Sequence, residues 1–258
     1  MELPSLTELA NTYGSDKGTL GPSDAWGGLN YTDVYAAYLE PLRNQPLRIL
    51  EIGIGATGER WDARIVHGRN TGGASIKMWY DYFGVATIVA IDINPANYLD
   101  NDRITTHVID QSDASELTRF IQSQPPFDLI IDDGSHHPEH QQLSLSLLFP
   151  HLSPGGWYII EDLDDNGRGD TQSDERTYCP DVYNTRKVLK SFLASGEAKK
   201  PNGFASEDFL TSVQSIAFHC PEPVVHSHWQ LIPPRRKFTF QYKADSERLA
   251  MIRKQATL

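Results

Sequence analysis

Leu47-Arg-Ile-Leu-Glu-Ile-Gly-Ile-Gly55 is the stretch on which the fold turns. A short apolar run halted by glycine reads as a strand buried on both faces. Runs of the same kind recur at Thr87–Ile93, Ile104–Ile109, Phe127–Asp132 and Gly156–Glu161, and the apolar spacing between them becomes helical at 75–83, 114–123 and 138–149. Doubly apolar strands that alternate with helices predict a doubly wound α/β fold, its mostly parallel sheet covered on both sides. A short helix is expected over Asp33–Leu42 before this core; a helix over Val182–Leu193 and strands over Val213–His219 and Lys237–Tyr242 are expected after it.

The composition bounds what such a core can be part of. The 258 residues are 39% hydrophobic and 22% charged, with a net charge of −11, an ordinary globular balance. One domain over 1–258 is expected. It divides into an N-terminal cap segment 1–45, a core 46–163, a polar lid 164–180 and a C-terminal part 181–258. Clustered Lys/Arg for phosphate neutralisation is missing from this acidic chain, so nucleic acid is not an expected partner. The two cysteines, Cys179 and Cys220, lie far apart in no ligand spacing, which argues against a disulfide framework or zinc site and for a cytoplasmic setting. No signal peptide or membrane span is predicted.

In doubly wound folds, ligands bind beyond the carboxyl ends of the strands. Those ends carry Glu51, Gly53 and Gly55, then Asp92, Asp110, Asp132-Asp133 and Glu161-Asp162. Gly53-Ile-Gly-Ala-Thr-Gly58 spells G-x-G-x-x-G, which raises a nicotinamide-dependent dehydrogenase as one reading. That fingerprint needs a helix at once and an acidic residue about 20 positions on, whereas here a long loop intervenes, the helix begins near Ser75, and the next strand ends only at Asp92. A strand carboxylate followed by Gly-x-Gly suits a cationic ligand without a diphosphate, such as S-adenosylmethionine. In that reading Gly53 and Gly55 let the backbone approach the ligand, Asp92 accepts from ribose hydroxyls, and Asp110 with Gln111 borders the adenine.

The chemistry concentrates in Ile130-Ile-Asp-Asp-Gly-Ser-His136-His-Pro-Glu-His140 and in Glu161-Asp162 at the next strand end. Carboxylates gathered without a counterion raise one another's pKa values. A hard divalent cation resolves the conflict: Mg²⁺ first, Ca²⁺ or Mn²⁺ as alternatives. His136, three residues beyond Asp133, can stand beside such an ion and take a proton from a substrate hydroxyl. His136-x-x-Glu139-His140 also matches an inverted zinc-protease pattern, but Pro138 is expected in a helix's first turn, which leaves His136 outside it.

With these residues in place, the sequence resembles the metal-dependent S-adenosylmethionine sugar O-methyltransferases of antibiotic biosynthesis. The resemblance runs through Leu50–Gly55, Gly72–Trp79, Ile91-Asp92, Asp110–Asp113, Asp132–His136 and Tyr158–Asp162. It implies a class I, Rossmann-like methyltransferase fold, with Asp133, Glu161 and Asp162 as metal ligands and His136 as general base beside Asp133. It implies that the Tyr13-Gly-Ser-Asp-Lys17 turn closes over the cofactor, and that Ser75 and Asp132 complete the cofactor's surroundings. The substrate would be a deoxysugar, and a homo-oligomer is expected, with Trp229–Pro233 as an apolar edge segment. Macrolide-acting members carry a large N-terminal domain, whereas about 45 residues precede the first strand here. A smaller acceptor such as rhamnose on thymidine diphosphate is therefore expected, its diphosphate met by Arg60, Arg64, Arg69 or Arg235-Arg-Lys237. A related enzyme acting on a phenol or catechol is the rival within the same chemistry.

Overall fold

The structure, a computed structural model, describes residues 3–20, 28–56, 72–163, 184–195, 207–221, 228–229, 237–238 and 247–256. The lid expected over 164–180, Arg60, Arg64, Arg69, Arg235, Arg236, Cys179 and most of 229–233 lie outside the described residues.

Nine strands are described: β1 (Arg48–Ile52), β2 (Thr87–Asp92), β3 (Ile104–Val108), β4 (Phe127–Asp132), β5 (Leu152–Ile160), β6 (Val213–His219), β7 (His228–Trp229), β8 (Lys237–Phe238) and β9 (Leu249–Lys254). Seven form one sheet in the order β3-β2-β1-β4-β5-β9-β6. The first five run parallel, and β9 enters antiparallel between β5 and β6. The strand expected to reach Tyr242 is described only as the two-residue β8, paired with β7 in a separate ribbon. Because β1 has β2 on one side and β4 on the other, the winding direction reverses between β1 and β4, which opens a crevice at their carboxyl ends.

Helices cover both faces: α1 (Leu6–Tyr13), α2 (Tyr31–Leu39) and α3 (Ala74–Tyr82) on one, and α4 (Ala114–Gln122), α5 (Pro138–Leu148), α6 (Thr185–Ser195) and the short α7 (Glu207–Ser212) on the other. Alternation along β1 sorts its side chains, so Ile49 joins the first core with Tyr35 and Trp79, and Leu50 and Ile52 join the second with Leu145 and Leu148. Trp79 and Tyr35 meet edge to face at 5.3 Å, which ties α2 to α3. Helix starts follow local chemistry. Ser5 and Glu8 form a capping box at α1, Asp113 accepts from the Ser115 and Glu116 amides at α4, and Pro138 opens α5. Caps of this kind contribute about 1 kcal/mol each. Among the described residues, no helix is long and apolar enough to cross a membrane.

Candidate active site

The crevice is framed by two turns in contact. After β1 the chain bends at Gly53 (φ 76°), where an added Cβ would lie 2.3 Å from the Asp133 carbonyl oxygen. Only glycine allows the β1 and β4 ends to come this close. The β1 turn is fixed by Asp92, whose carboxylate accepts from the Ile54 amide (3.0 Å), the Ala56 amide (3.2 Å) and the Asn94 amide (2.8 Å). Asp92 thus shapes the turn itself.

Beside the turn lies a cavity of about 160 Å³. It is lined by Gly14–Lys17, by Ile54 and Gly55, by Gly72–Ser75 at the start of α3, and by Asp133. Amides at a helix N-terminus favour a negative group. Glu51, fully buried, has no hydrogen-bond partner on either oxygen among the described residues, although Ser75 and Trp79 stand close. Burial pushes its pKa up to about 7, with the nearby Lys17 charge pulling it back.

The acidic residues gather on the other side of Asp133. His136 Nε2 is 3.2 Å from Asp133 Oδ1 and 3.6 Å from Asp162 Oδ2. One potential ligand atom from each of Asp133, His136 and Asp162 falls within 4.8 Å of the others. The second Asp133 oxygen meets the Lys17 ammonium, which also lies 2.8 Å from the Glu161 carboxylate and 3.8 Å from Glu51. Burial would lower the Lys17 pKa, but Asp133, Glu161 and Glu51 outweigh it and hold it well above the usual lysine range. Burial likewise opposes ionisation of Asp133, yet Lys17 and His136 bring its pKa below the usual value.

Three residues that sequence reasoning missed complete the site. Tyr31 and Tyr35, one turn apart on α2, donate to Asp162 and Glu161 respectively, and Arg248, just before β9, lies 3.1 Å from Asp162 Oδ1. Their spacing along α2, i and i+4, was the one available signal that both tyrosines share a face.

The expected residues divide between cavity, acid cluster and scaffold. Lys17, Gly55 and Ser75 line the cavity together with Asp133, and Gly53 and Glu51 stand behind it. Tyr13 instead donates to Asp81 on α3. Asp132 points to the opposite face, where Gln111 Nε2 (2.7 Å) and the Tyr158 hydroxyl (3.4 Å) donate to it and burial raises its pKa to about 7. Gln111 is spent on this brace, since its oxygen accepts the Ser135 amide, and Asp110 caps Ser112. Glu161 faces Lys17 and Tyr35 rather than the Asp133–His136–Asp162 group. His136 (φ 61°) precedes α5, and His140 Nδ1 bonds Ser135 Oγ at 2.7 Å, so the two histidines share no helical face and the zinc-protease reading falls.

Four carboxyl groups, Glu51, Asp133, Glu161 and Asp162, thus surround two cations, Lys17 and Arg248. The oxygen-rich donors fit a hard divalent cation.

Comparison with known proteins agrees with this geometry. Residues 63–163 match the family model described as a methyltransferase domain. Demethylmacrocin O-methyltransferase of Streptomyces fradiae is 40% identical over 162 residues, 62% of this chain and 36% of that protein. L-olivosyl-oleandolide 3-O-methyltransferase of Streptomyces antibioticus is 34% identical over 216 residues, 81% of this chain and 50% of that protein. The chain thus spans between about a third and a half of these relatives' length. Among solved structures, the MycE methyltransferase of the mycinamycin biosynthetic pathway, in complex with Mg, SAH and mycinamycin VI, superposes with a TM-score of 0.67 at 28% identity, covering 98% of this chain and 55% of that one. By these matches residues 63–163 are similar to a methyltransferase domain, and the chain has the class I fold of the S-adenosylmethionine-dependent methyltransferases.

Proposed function

We propose that the protein transfers a methyl group from S-adenosylmethionine to a hydroxyl of a deoxysugar, with a divalent cation, Mg²⁺ first, held at the acid cluster. The observation that carries this reading is the double position of Asp133, which lines the cavity by the glycine turn and also faces His136 and Asp162. A donor in the cavity and an acceptor at the cluster are then neighbours. The name of one relative, L-olivosyl-oleandolide 3-O-methyltransferase, supports a sugar-bearing acceptor.

Each residue has a task in this reading. The buried Glu51 carboxyl group, whose oxygens accept no hydrogen bond among the described residues, suits the ammonium of an amino-acid ligand, and the start of α3 suits its carboxylate. Asp133 and Asp162, with Glu161 behind them, would hold the cation. When bound, the cation acidifies and orients a hydroxyl, and the methylsulfonium supplies the methyl group. The His136 imidazole would accept the hydroxyl proton as the new O–C bond forms and the methyl–sulfur bond breaks, the sulfur leaving as a neutral thioether. Tyr31 and Arg248 fix Asp162 Oδ1, leaving Oδ2 turned to His136. We also read 1–258 as one unit, its cap segment completing the site through Lys17, Tyr31 and Tyr35.

The test is calorimetric binding of S-adenosylhomocysteine and Mg²⁺, followed by mass spectrometry of methyl transfer to nucleotide-activated deoxysugars, deoxysugar glycosides and catechols. Transfer to a sugar hydroxyl is expected. Binding of NAD without S-adenosylhomocysteine, or transfer to catechols alone, would overturn the reading.

A further inference from the structure

Lys17 is an unusual occupant for a cluster expected to bind a metal. Its side chain is 1% exposed, and its ammonium contacts Asp133 and lies 2.8 Å from Glu161. These are two of the three residues through which the cation would be held. An ammonium is a compact point charge that carboxylate oxygens surround much as they surround an ion. Two cations drawing on the same carboxylate inside a poorly solvated crevice repel strongly.

The backbone of Lys17 is anchored and its side chain has room. Its carbonyl accepts the Thr32 amide at the start of α2 (3.0 Å), the Asp16 carbonyl accepts the Leu29 amide (2.6 Å), and Asn11 Oδ1 takes the Thr19 and Leu20 amides (both 3.0 Å). The loop is thereby pinned. Four methylenes separate the pinned backbone from the charge, and Lys17 also lines the adjoining cavity of about 160 Å³.

We propose that the Lys17 ammonium is the resident counter-charge of this cluster and competes with the divalent cation for Asp133 and Glu161, swinging towards the cavity when the cation binds. The proposal rests on the metal reading above. It makes Lys17 a positioning residue that keeps the acids assembled before the cation arrives. It also couples the two halves of the site, since the displaced ammonium enters the space assigned to the anionic end of the methyl donor.

The experiment is calorimetric titration of MgCl₂ into wild type, Lys17→Met and Lys17→Arg, each first stripped with EDTA. Lys17→Met is expected to bind Mg²⁺ at least about tenfold more tightly than wild type, a difference of about 1.4 kcal/mol, while Lys17→Arg, which keeps the charge, stays weak. Equal or weaker binding by Lys17→Met overturns the proposal, because a lysine that merely supported the site would loosen the cation when lost. Should Lys17→Met not fold, amine acetylation of wild type, read by peptide mass spectrometry, decides. Saturating Mg²⁺ should raise labelling of Lys17 severalfold, with the half-exposed Lys190 unchanged as reference. Mg²⁺ binding that leaves Lys17 protected overturns the competition alone, whereas no Mg²⁺ binding to any of the proteins overturns the metal reading with it.

Discussion

His136 (φ 61°), Asp162 (φ 51°) and Asn30 (φ 57°) are the non-glycine residues with left-handed backbone among those described. The first two belong to the acid cluster, and the third immediately precedes Tyr31. Such conformations cost roughly 1–3 kcal/mol each and persist where neighbours hold them in place. For His136 the conformation turns the imidazole back towards Asp133 and Asp162 before α5 begins. Replacing it with alanine should slow methyl transfer on the order of 10² to 10⁴-fold, the range for a lost general base, while S-adenosylhomocysteine still binds. Unchanged turnover in His136→Ala would remove the imidazole from the reaction. At this scale the sequence was informative where residues sit close together. Asp133, His136 and Asp162 follow strand ends and could be read from their neighbours. Tyr31, Tyr35 and Arg248 lie 131, 126 and 86 positions from their carboxylate partners, a distance that no local pattern spans. Lys17 was identified, but its ammonium reaches the acids rather than only closing over the cavity.

Between elements, the β1 and β4 turns approach closely at Gly53. A methyl group there meets the Asp133 carbonyl at 2.3 Å on a backbone of φ 76°, so steric clash and dihedral strain act together. Gly53→Ala should lose about 2 kcal/mol or more of stability and bind S-adenosylhomocysteine more weakly, as checked by thermal unfolding and titration. Gly84→Ala, with nothing within 4 Å of the added carbon, is the control. Matching melting temperatures for the two variants would show that the turns can separate. The parallel strands were legible to within a few residues because they are buried on both faces and leave continuous apolar runs. Four elements were not foreseen, the two-residue β7 among them. α1 could have been found from its Ser5-Leu-Thr-Glu8 capping box. β9, Leu-Ala-Met-Ile-Arg-Lys, is made largely of good helix formers, and only pairing with β5 and β6 makes it a strand. The six-residue α7 is too short to show a period.

For the whole molecule, the net charge is −11, and the site gathers four carboxyl groups about two cations, a crowding that a divalent cation would relieve. Binding confined to the folded state adds about 2.7 kcal/mol at a hundredfold excess over Kd, which for a chain of this size raises the melting temperature by roughly 5–10 °C. We expect EDTA to lower the melting temperature and abolish methyl transfer, and excess Mg²⁺ to restore both. Full activity in EDTA would refute the metal's role. The threading of the sheet bears on how its far edge is held. β6 has β9 as its only sheet neighbour among the described strands, and β9 comes thirty residues further along the chain. β6 is therefore held to the sheet only through a segment that follows it in the chain. Arg248 stands at the entry to that same segment, so the piece that locks the far edge also delivers the guanidinium to Asp162.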